Sequence, residues 1–430
     1  MNYTVAEVLQ FVEENDVKFI RLQFCDMFGA VKNIAIMADE LPRAFERGVS
    51  FDASAVKGFM NMEESDLFLH PDPSTLAVLP WRPQQGRVAR FFCDVKRADG
   101  ETFDGDGRTL LKAAVKRALD KGYVCEVGSE CEFYLFELDE SGNPTKRPHD
   151  HAGYLDIAPL DRGENVRREI CLTLENMGII PESSHHEQGP GQNEVDFRHA
   201  DALTAADNLV TFKTVVKTMA NRNGLYASFL PKPLEGFSGN GLHINLSLFH
   251  NGLNIFKTEP DVHSQEAESF IAGILQRVRE ITLFLNPLMN SYQRFGTFEA
   301  PKYISWSRQN RSQLVRIPAE SGAGARMELR SPDPSCNPYF AIAMLIHAGL
   351  DGIEQGLELC KPVNLNLYKA DSETLSGLDS LPATLLEAVE AARNSAFVKK
   401  YLPAEMAEMI FSVKEQEWKS GEADSVFQMI

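Results

Sequence analysis

One apolar segment of the chain, residues 127–133, carries two glutamates at alternate positions. In an extended strand successive side chains point to opposite faces, so Glu130 and Glu132 share one face while Cys131 and Phe133 share the other. The aromatic and aliphatic residues that follow, 134–136, indicate an interior strand, where an unpaired ionised carboxylate costs several kcal/mol or stays protonated. The segment therefore predicts a cation beside the two carboxylates. The alternative is a strand whose glutamate face is solvated.

The overall charge limits what the chain can bind. With 61 acidic and 43 basic residues among 430, the net charge is -18, which opposes binding to nucleic acid or anionic lipid. The first 15 residues have the spacing of an amphipathic helix rather than the basic and apolar regions of a signal peptide, and no apolar run reaches membrane-spanning length. Seven cysteines without a Cys-x-x-Cys pair favour reduced thiols. We therefore expect a cytoplasmic protein with no nucleic-acid or membrane partner.

The length favours two domains. Residues 1–104 are predicted to form a small α+β unit, with helices over 4–15 and 41–47 and strands over 19–24, 31–36, 76–79 and 88–95. The turn-rich acidic segment 99–107 is predicted to hold the boundary, so the second domain spans 105–430. Its helices are predicted over 108–121, 166–177, 202–223, 264–285, 337–358 and 380–395. The polar tail from Lys414 yields no prediction.

A second pair of glutamates flanks a sharp turn. Gly189, Pro190 and Gly191 mark a reversal between two extended arms. If the arms pair antiparallel, Glu187 and Glu194 lie on one face about 5 Å apart. Like charges in that arrangement destabilise a hairpin unless a cation binds between them. The alternative is a solvated pair in a flexible loop.

A histidine lies in the next alternating strand, residues 242–249. His243, Asn245 and Ser247 are predicted to share one face of this strand. The strand follows a glycine-rich loop, residues 236–241, whose backbone N–H groups could approach an anionic ligand. The alternative is a histidine that only makes a hydrogen bond within the fold.

Five arginines lie close together in the acidic chain: Arg308, Arg311, Arg316, Arg326 and Arg330. Strand alternation places the Glu328 carboxylate between the guanidinium groups of Arg326 and Arg330. This concentration predicts a polyanionic substrate, with ordinary surface ion pairs as the alternative.

Together, the clustered carboxylates and His243 supply enough hard ligands for two divalent cations such as Mg²⁺ or Mn²⁺. With the arginines, they predict metal-assisted phosphoryl transfer, in which cations neutralise the charge of the moving phosphoryl group. The chain contains neither a phosphate-loop motif nor a dinucleotide-binding glycine motif. Composition and spacing carry the prediction no further.

The chain resembles the type I glutamine synthetases over nearly its whole length. The resemblance rests on nine motifs in order, each weak alone and highly specific together. They are Phe51-Asp52-Ala53-Ser54, Glu63-Glu64-Ser65-Asp66, Gly128-Ser129-Glu130-Cys131-Glu132-Phe133, Gly191-Gln192-Asn193-Glu194, Lys232-Pro233 with Gly239-Asn240-Gly241-Leu242-His243, Asn290-Ser291-Tyr292-Gln293-Arg294, Phe298-Glu299-Ala300-Pro301, Asn310-Arg311-Ser312 and Glu328-Leu329-Arg330-Ser331-Pro332-Asp333-Pro334. The resemblance implies an α+β fold with an N-terminal β-grasp domain and a larger catalytic domain, whose curved, barrel-like antiparallel sheet is accompanied by helices. It also implies a homo-dodecamer with active sites between neighbouring subunits.

The resemblance also implies a reaction, in which glutamate, ATP and ammonium give glutamine through γ-glutamyl phosphate. It implies two or more Mg²⁺ or Mn²⁺ ions per site. The ligands implied for the substrate-side ion are Glu132, Glu187 and Glu194, and those for the nucleotide-side ion are Glu130, His243 and Glu328. The implied ATP-binding residues are Arg311, Arg316, Arg326, Ser247 and Asn245.

The same resemblance assigns the substrate side of the site. Arg294 and Arg330 match the positions that clamp the glutamate carboxylates, and Gly239 matches a backbone contact to the amino acid. Tyr154 and the Asp52 of the next subunit match the ammonium pocket. Glu299 matches the flap glutamate that closes the site and helps deprotonate ammonium; the resemblance implies catalytic roles for Asp52, Glu299 and Arg311.

Three departures from the family pattern concern the amine side. Ser238 and Asn240 stand in a loop that commonly reads Asn-Gly-Ser-Gly, Ala55 replaces a serine, and the segment 294–299 is one residue shorter than in many members. A γ-glutamyl-amine ligase that uses an organic amine is therefore the alternative enzyme, and a catalytically silent scaffold is the alternative from another class.

For two further residues, Tyr368 and Glu126, we expect no modification and no place in the site, respectively. Tyr368 aligns with a tyrosine that some members adenylylate, but the chain lacks the insertion of that subgroup, and we expect no modification. Glu126 shares the strand face of Glu130 and Glu132 but has no assigned role, and we expect it to lie outside the site.

Overall fold

The fold is described from a computed structural model of the chain, which covers residues 3–59, 62, 65–257, 264–319 and 322–421. The motif that begins at Glu63 lies in part outside these residues, because Glu63 and Glu64 are not among them.

The N-terminal part forms a sheet with two helices. Its elements are α1 (Val5–Glu14), β1 (Val17–Cys25), β2 (Val31–Met37), α2 (Leu41–Arg47), β3 (Val49–Asp52), β4 (Asp66–Pro71), β5 (Ala77–Val78) and β6 (Arg87–Lys96). The strands follow the order β2-β1-β6-β4-β3, with β5 beside β6, and β1 runs parallel to β6. A capping box between Thr4 and Glu7 begins α1 and satisfies backbone N–H groups at its start. The predicted α+β unit is confirmed.

The larger part surrounds a second, mostly antiparallel sheet. Its elements are α3 (Gly107–Asp120), β7 (Tyr123–Leu138), β8 (Pro144–Pro148), α4 (Glu164–Asn176), β9 (Pro181–His186), β10 (Gln192–Phe197), β11 (Ala200–Asp201), α5 (Ala202–Arg222), β12 (Leu225–Ser228), β13 (Leu242–His250), β14 (Leu253–Asn254), α6 (Gln265–Leu285), β15 (Trp306–Arg308), β16 (Val315–Ile317), β17 (Met327–Leu329), α7 (Pro338–Gln355), α8 (Ser372–Ser376), α9 (Leu385–Asn394), α10 (Ala396–Tyr401) and α11 (Ala404–Ser420). The main path of the sheet is β15-β16-β17-β13-β7-β10-β9.

Strand β7 lies in the interior of this sheet, as its apolar flanks predict. It pairs with β13 on one side, where His243 is opposite Glu130, and with β10 on the other, where Glu194 is opposite Glu132. The other face of β7 packs against the helix layer, where the ring centroid of Phe133 lies 6.2 Å from that of Phe212 in α5. The apolar face therefore anchors the strand, and the glutamate face remains free for chemistry.

A buried arginine joins the two parts of the chain. The guanidinium of Arg108, at the start of α3, lies 2.8 Å from the Asp94 carboxylate, 2.9 Å from that of Asp72 and 2.9 Å from that of Asp207. Asp72 and Asp94 belong to the N-terminal part and Asp207 to α5, so one charge holds both parts. The boundary between residues 104 and 105 stays a prediction.

The C-terminal helices differ most from expectation. The helix predicted over 380–395 begins at Leu385, and the polar tail that yielded no prediction starts inside α11. The buried residues Met406, Ala407, Ile410 and Phe411 recur at helical spacing, so this helix had a periodic signal. Among the described helices, none combines the length and apolarity that crossing a bilayer requires. Location in the cytoplasm stays a prediction.

Candidate active site

A cleft of about 570 Å³ opens over the glutamate face of β7. Strands β9, β10 and β13 and the loops after α6, β15 and β17 contribute to its walls. Among the residues singled out in the sequence, those that line it are Glu130, Glu132, Tyr154, Glu187, Glu194, Ser238, Gly239, His243, Arg294, Glu299, Arg311 and Arg330. Residues separated by as much as 200 positions in the chain therefore converge on one space.

Glu130 and His243 form one pair in this cleft. The Nδ1 atom of His243 lies 3.0 Å from Glu130 Oε2, and the Asn245 amide donates to Glu130 Oε1 at 2.9 Å. Burial alone would raise the pKa of Glu130, but the hydrogen bond and charge of His243 and the Asn245 amide lower it to about 2. The Glu130 carboxylate is therefore ionised at neutral pH and can offer oxygen atoms to a cation.

Glu132 lies in a different environment two residues along the strand. Its Oε2 atom accepts hydrogen bonds from the Gly241 backbone N–H at 2.8 Å and from the Gln192 amide at 2.9 Å. Burial and the negative charge of Glu187 raise the pKa of the Glu132 carboxyl to about 7. The pKa values of two carboxylates on one strand face therefore shift in opposite directions, because His243 and Asn245 hydrogen-bond to Glu130 whereas the negative charge of Glu187 acts on the buried Glu132.

The predicted hairpin is present, since β9 and β10 pair antiparallel around the Gly189–Gly191 turn. Glu187 and Glu194 both face the cleft, and His185 lies between them, with Nδ1 3.4 Å from Glu187 Oε1 and Nε2 3.6 Å from Glu194 Oε2. Burial, followed by the charges of Asp196 and the other glutamates, raises the pKa of Glu194 well above its ordinary value. The positive charge near Glu194 is therefore too small to offset burial and the neighbouring carboxylates, and its ionised form is disfavoured.

Glu328 lies behind the cleft rather than in its wall, and it is fully buried. Its carboxylate accepts from Arg330 Nη1 at 2.6 Å, contacts Arg316, and lies 3.6 Å from His243 Nδ1. Burial would raise the pKa of Glu328, but Arg330, His243 and Arg316 outweigh it and the pKa is lowered. The predicted position between two guanidiniums is present, but the partners are Arg316 and Arg330 rather than Arg326 and Arg330.

The donor set fits divalent cations. Potential ligand atoms of Glu130, Glu194 and His243 lie within 4.8 Å of one another, as do those of His185, Glu187 and Glu194. All are carboxylate oxygens or imidazole nitrogens, which suit Mg²⁺ or Mn²⁺. Burial and, after it, the charges of neighbouring carboxylates raise the pKa values of Glu132 and Glu194, and a bound cation would offset the repulsion between these charges.

Another part of the cleft wall contains Arg294, whose guanidinium is buried. It donates to the backbone carbonyls of Ser331 at 2.8 Å, Pro332 at 3.2 Å and Arg330 at 3.2 Å. Nearby, a Cβ added to Gly239 would lie 2.2 Å from the Pro231 carbonyl oxygen, so no larger residue fits without a backbone shift. Arg294 therefore also holds the loop that carries Arg330.

Glu299 lies at the mouth of the cleft, where its side chain is 45 % exposed. Its Oε2 atom lies 3.7 Å from Arg330 Nη2. Phe298 and Glu299 both have positive φ angles, 47° and 64°, which non-glycine residues adopt only at a cost of about 1–3 kcal/mol. The mouth of the cleft therefore contains two adjacent residues with costly backbone angles.

Several predicted residues lie outside the main cleft. Asn245, Ser247 and Arg326 line a second cavity of about 370 Å³, and Glu130 lines both spaces. Arg326 Nε donates to Asn245 Oδ1 at 3.0 Å. Glu126 lies outside the main cleft but lines the second cavity, where its carboxylate is 3.1 Å from His199 Nε2.

Asp52 is separate from both cavities. It ends β3 in the N-terminal part, where its exposed carboxylate accepts hydrogen bonds from Ser54 at 2.6 and 3.0 Å. Tyr368 is 39 % exposed, and the absence of modification there stays a prediction.

Sequence reasoning gave no role to several residues of the site, among them His185 and Gln192. His185 shares the strand face of Glu187, and Gln192 orients Glu132 at 2.9 Å. Strand alternation from Glu187 could have identified His185, since the two are separated by two positions. Gln192 had no comparable signal, because its contact depends on how β10 pairs with β7.

Comparisons with known proteins cover nearly the whole chain. The family described as glutamine synthetase, catalytic domain, matches residues 104–426, and the one described as glutamine synthetase, beta-Grasp domain, matches residues 16–98. A glutamine synthetase of Methanosarcina mazei is 50 % identical over 96 % of this chain and 94 % of its own length. One of Clostridium saccharobutylicum is 48 % identical over 97 % and 95 %.

Solved structures are similar over the same extent. One titled GmaS/ADP complex has a TM-score of 0.89 at 30 % identity and covers 99 % of this chain and 97 % of the other. A Plasmodium falciparum glutamine synthetase has a TM-score of 0.87 at 26 % identity, covering 98 % and 97 %. The expected fold class is confirmed: a β-grasp domain precedes a curled half-barrel sheet with helices.

Proposed function

Because the chain belongs to the glutamine synthetase family, we propose that it ligates ammonia to the γ-carboxylate of glutamate at the expense of ATP. The observation that carries this proposal is the convergence of a carboxylate and histidine set with Arg294, Arg311 and Arg330 in one cleft. Such a site combines cation ligands with groups that bind carboxylates and phosphates.

The reaction has two steps. An oxygen of the glutamate γ-carboxylate attacks the γ-phosphorus of ATP, the bond from that phosphorus to the ADP oxygen breaks, and γ-glutamyl phosphate forms. Ammonia then attacks the acyl carbon, and inorganic phosphate leaves to give glutamine. We assign Glu299 to receive the proton that ammonium loses, because its carboxylate lies at the mouth of the cleft beside Arg330.

Family membership implies a divalent metal, and we propose that it is Mg²⁺ or Mn²⁺ with at least two ions per site. The proposed ligands are Glu132, Glu187 and Glu194 for one ion and Glu130, His243 and Glu328 for the other. His185 joins the first set, because its ring lies between Glu187 and Glu194. When bound, the ions neutralise phosphate charge and orient the transferred group.

The chain's own residues would orient the substrates around the charge of the bound metal ions. We assign Arg311 and Arg316 to the phosphates, and Arg326, Asn245 and Ser247, in the second cavity, to the rest of the nucleotide. Glu130 lines both spaces, so a nucleotide in the second cavity would direct its phosphates into the main cleft.

On the substrate side we assign Arg330 and Arg294 to the glutamate carboxylates and the Gly239 backbone to the amino acid. Tyr154 lines the same cleft and is assigned to the ammonium pocket. Water must be excluded at this stage, because the acyl phosphate would otherwise hydrolyse.

The position of Asp52 supports an assembled enzyme. It lies outside the cleft within one chain, so its proposed role at the ammonium pocket requires the Asp52 of a neighbouring subunit. We therefore propose a homo-oligomer, a dodecamer by family resemblance, with active sites between subunits.

Ser238 and Asn240, which differ from the family pattern, make contacts that do not favour an organic amine as the substrate. Asn240 is fully buried and donates to the Leu230 carbonyl at 2.9 Å, and the Ser238 hydroxyl donates to Gln192 at 2.5 Å. Both side chains therefore support the loop that carries Gly239. All six predicted metal ligands are present, which argues against a silent scaffold.

An amine panel tests the proposal. Phosphate release from ATP is measured with glutamate, Mg²⁺ and either ammonium, methylamine, ethylamine or putrescine, with reactions lacking glutamate as the blank. We expect ammonium to give the highest kcat/KM. Negligible turnover with ammonium and rapid turnover with one of the amines would establish the γ-glutamyl-amine ligase instead.

A further inference from the structure

A separate cavity of about 460 Å³ lies where the β1–β2 hairpin of the N-terminal part meets α5 of the larger part. One wall carries Lys213 and Lys217, and the opposite wall carries Gln23 and Asn33. None of these residues lines the main cleft or the second cavity. The proposed reaction therefore gives this space no role.

The two lysines concentrate positive charge in the cavity. They are four residues apart on α5, which places their side chains on one helix face about 5–6 Å apart at the Cβ atoms. Lys213 donates to the Pro334 carbonyl at 2.7 Å and its Nζ lies 5.8 Å from the centroid of the Phe229 ring, so two of its three N–H donors have no hydrogen-bond partner among the described residues. Among the described residues, no carboxylate lies within ion-pair distance of either lysine. Burial and the charge of Lys213 lower the pKa of Lys217 to about 8.

The opposite wall adds neutral donors. Gln23 and Asn33 are directly opposite each other in the β1–β2 pairing, so their side chains emerge on one face of the hairpin. Within the described part of the chain, these two amides make one hydrogen bond, in which Asn33 Oδ1 accepts from Arg21 at 3.5 Å. The NH₂ groups of both amides are therefore available to an acceptor. Phe28, Val31, Val210 and Pro338 contribute apolar surface, and Thr214, Thr218 and Ser335 also line the cavity.

We propose that this cavity binds a short aliphatic dicarboxylate. Two ammonium groups and two amides match two carboxylates, and the apolar lining matches the methylene chain between them. A bound anion would also supply the countercharge that two neighbouring lysines lack. Because the cavity has walls from both parts of the chain, the ligand would stabilise their relative arrangement.

The test uses the full-length protein and titrates succinate and glutarate by calorimetry, with butyrate and inorganic phosphate as comparison ligands. We expect one dicarboxylate per chain and a raised melting temperature, with weaker binding of butyrate. Removing one charge in Lys217→Gln should weaken binding about tenfold to hundredfold, as expected for a charge-assisted hydrogen bond. The control Lys399→Gln, an exposed lysine on α10, should bind like the unaltered protein.

Two further variants separate this cavity from the glutamate site. Asn33→Leu removes an exposed amide of the cavity without removing a charge, and it should also weaken binding. Arg330→Gln alters the main cleft and should leave dicarboxylate affinity unchanged. Unaltered affinity in both Lys217→Gln and Asn33→Leu, loss of binding in Arg330→Gln, tighter binding of phosphate than of either dicarboxylate, or no binding at all would each overturn the proposal.

Discussion

His243 Nδ1 lies 3.0 Å from Glu130 Oε2, across directly paired positions of two adjacent strands. The contact orients the imidazole ring. The other ring nitrogen, Nε2, lies close to Gly241, where an added Cβ would be 3.1 Å from it. A histidine oriented through one nitrogen can present the other to a metal. Glu130 therefore has two functions in the proposed site, as an ionised oxygen ligand and as the group that orients His243.

This arrangement predicts the effect of removing one charge. Glu130→Gln should lower kcat by at least about 100-fold, since both the ligand and the histidine orientation are affected. The matched control is Glu137→Gln, on the same strand β7 but in the wall of neither the main cleft nor the second cavity. Steady-state phosphate release measures both variants. If the Glu137 variant lost as much activity as the Glu130 variant, the assignment of Glu130 would be wrong.

The raised pKa of Glu132 predicts how stability depends on pH. Its folded-state value of about 7 exceeds the ordinary 4.5, so the folded carboxyl holds its proton over a range in which the unfolded one has lost it. The metal-free protein should therefore lose stability as the pH rises from about 4.5 to about 7, and Glu194 shifts in the same direction. Melting temperatures in EDTA across this range measure the loss.

Added Mg²⁺ should reverse that loss, because a cation between the carboxylates favours their ionised forms. The melting temperature at pH 8 should rise with Mg²⁺ in the unaltered protein and rise less in Glu132→Ala, which should also lack activity. Equal Mg²⁺ stabilisation in both proteins, or an active Glu132→Ala enzyme, would contradict the ligand assignment.

The buried Arg108 predicts a stability effect at the junction of the two parts. Arg108→Ala leaves Asp72, Asp94 and Asp207 without their common partner and should destabilise the protein by about 3–5 kcal/mol. Lys116→Ala removes an exposed partner of Asp120 on the same helix and should cost less than about 1 kcal/mol. Chemical denaturation of both variants provides the comparison. Similar losses of unfolding free energy in the two variants would show that the buried ion pairs of Arg108 contribute little to stability.

The close approach at Gly239 predicts a local effect on substrate binding. Gly239→Ala forces the loop away from the Pro231 carbonyl, since the added Cβ would lie 2.2 Å from its oxygen. We expect a raised KM for glutamate, with a smaller change in the KM for ATP. The control is Gly377→Ala, where the nearest atom would be 3.6 Å from the added Cβ and φ is -83°. An unchanged glutamate KM in Gly239→Ala would contradict the proposed backbone contact.

Much of the fold was predictable because its patterns are local. Alternation at every second residue identified the Glu130 and Glu132 face, and spacing of 3–4 residues identified long helices such as α5 and α6. Glycine and proline identified the turn between β9 and β10. These features depend on backbone geometry within a few residues, and they were sufficient to predict the two glutamate pairs that line the cleft, Glu130 with Glu132 and Glu187 with Glu194.

The remaining features depend on contacts between distant segments. The pairing of β10 with β7 places Gln192 against Glu132, and the packing of the loop after α6 directs Arg294 to backbone carbonyls near Arg330. Tertiary packing likewise separates the environments of Glu130 and Glu132, which are two residues apart. Local alternation places both carboxylates on one face, but only the neighbouring strands and loops provide the histidine that lowers one pKa and the burial and negative charge that raise the other.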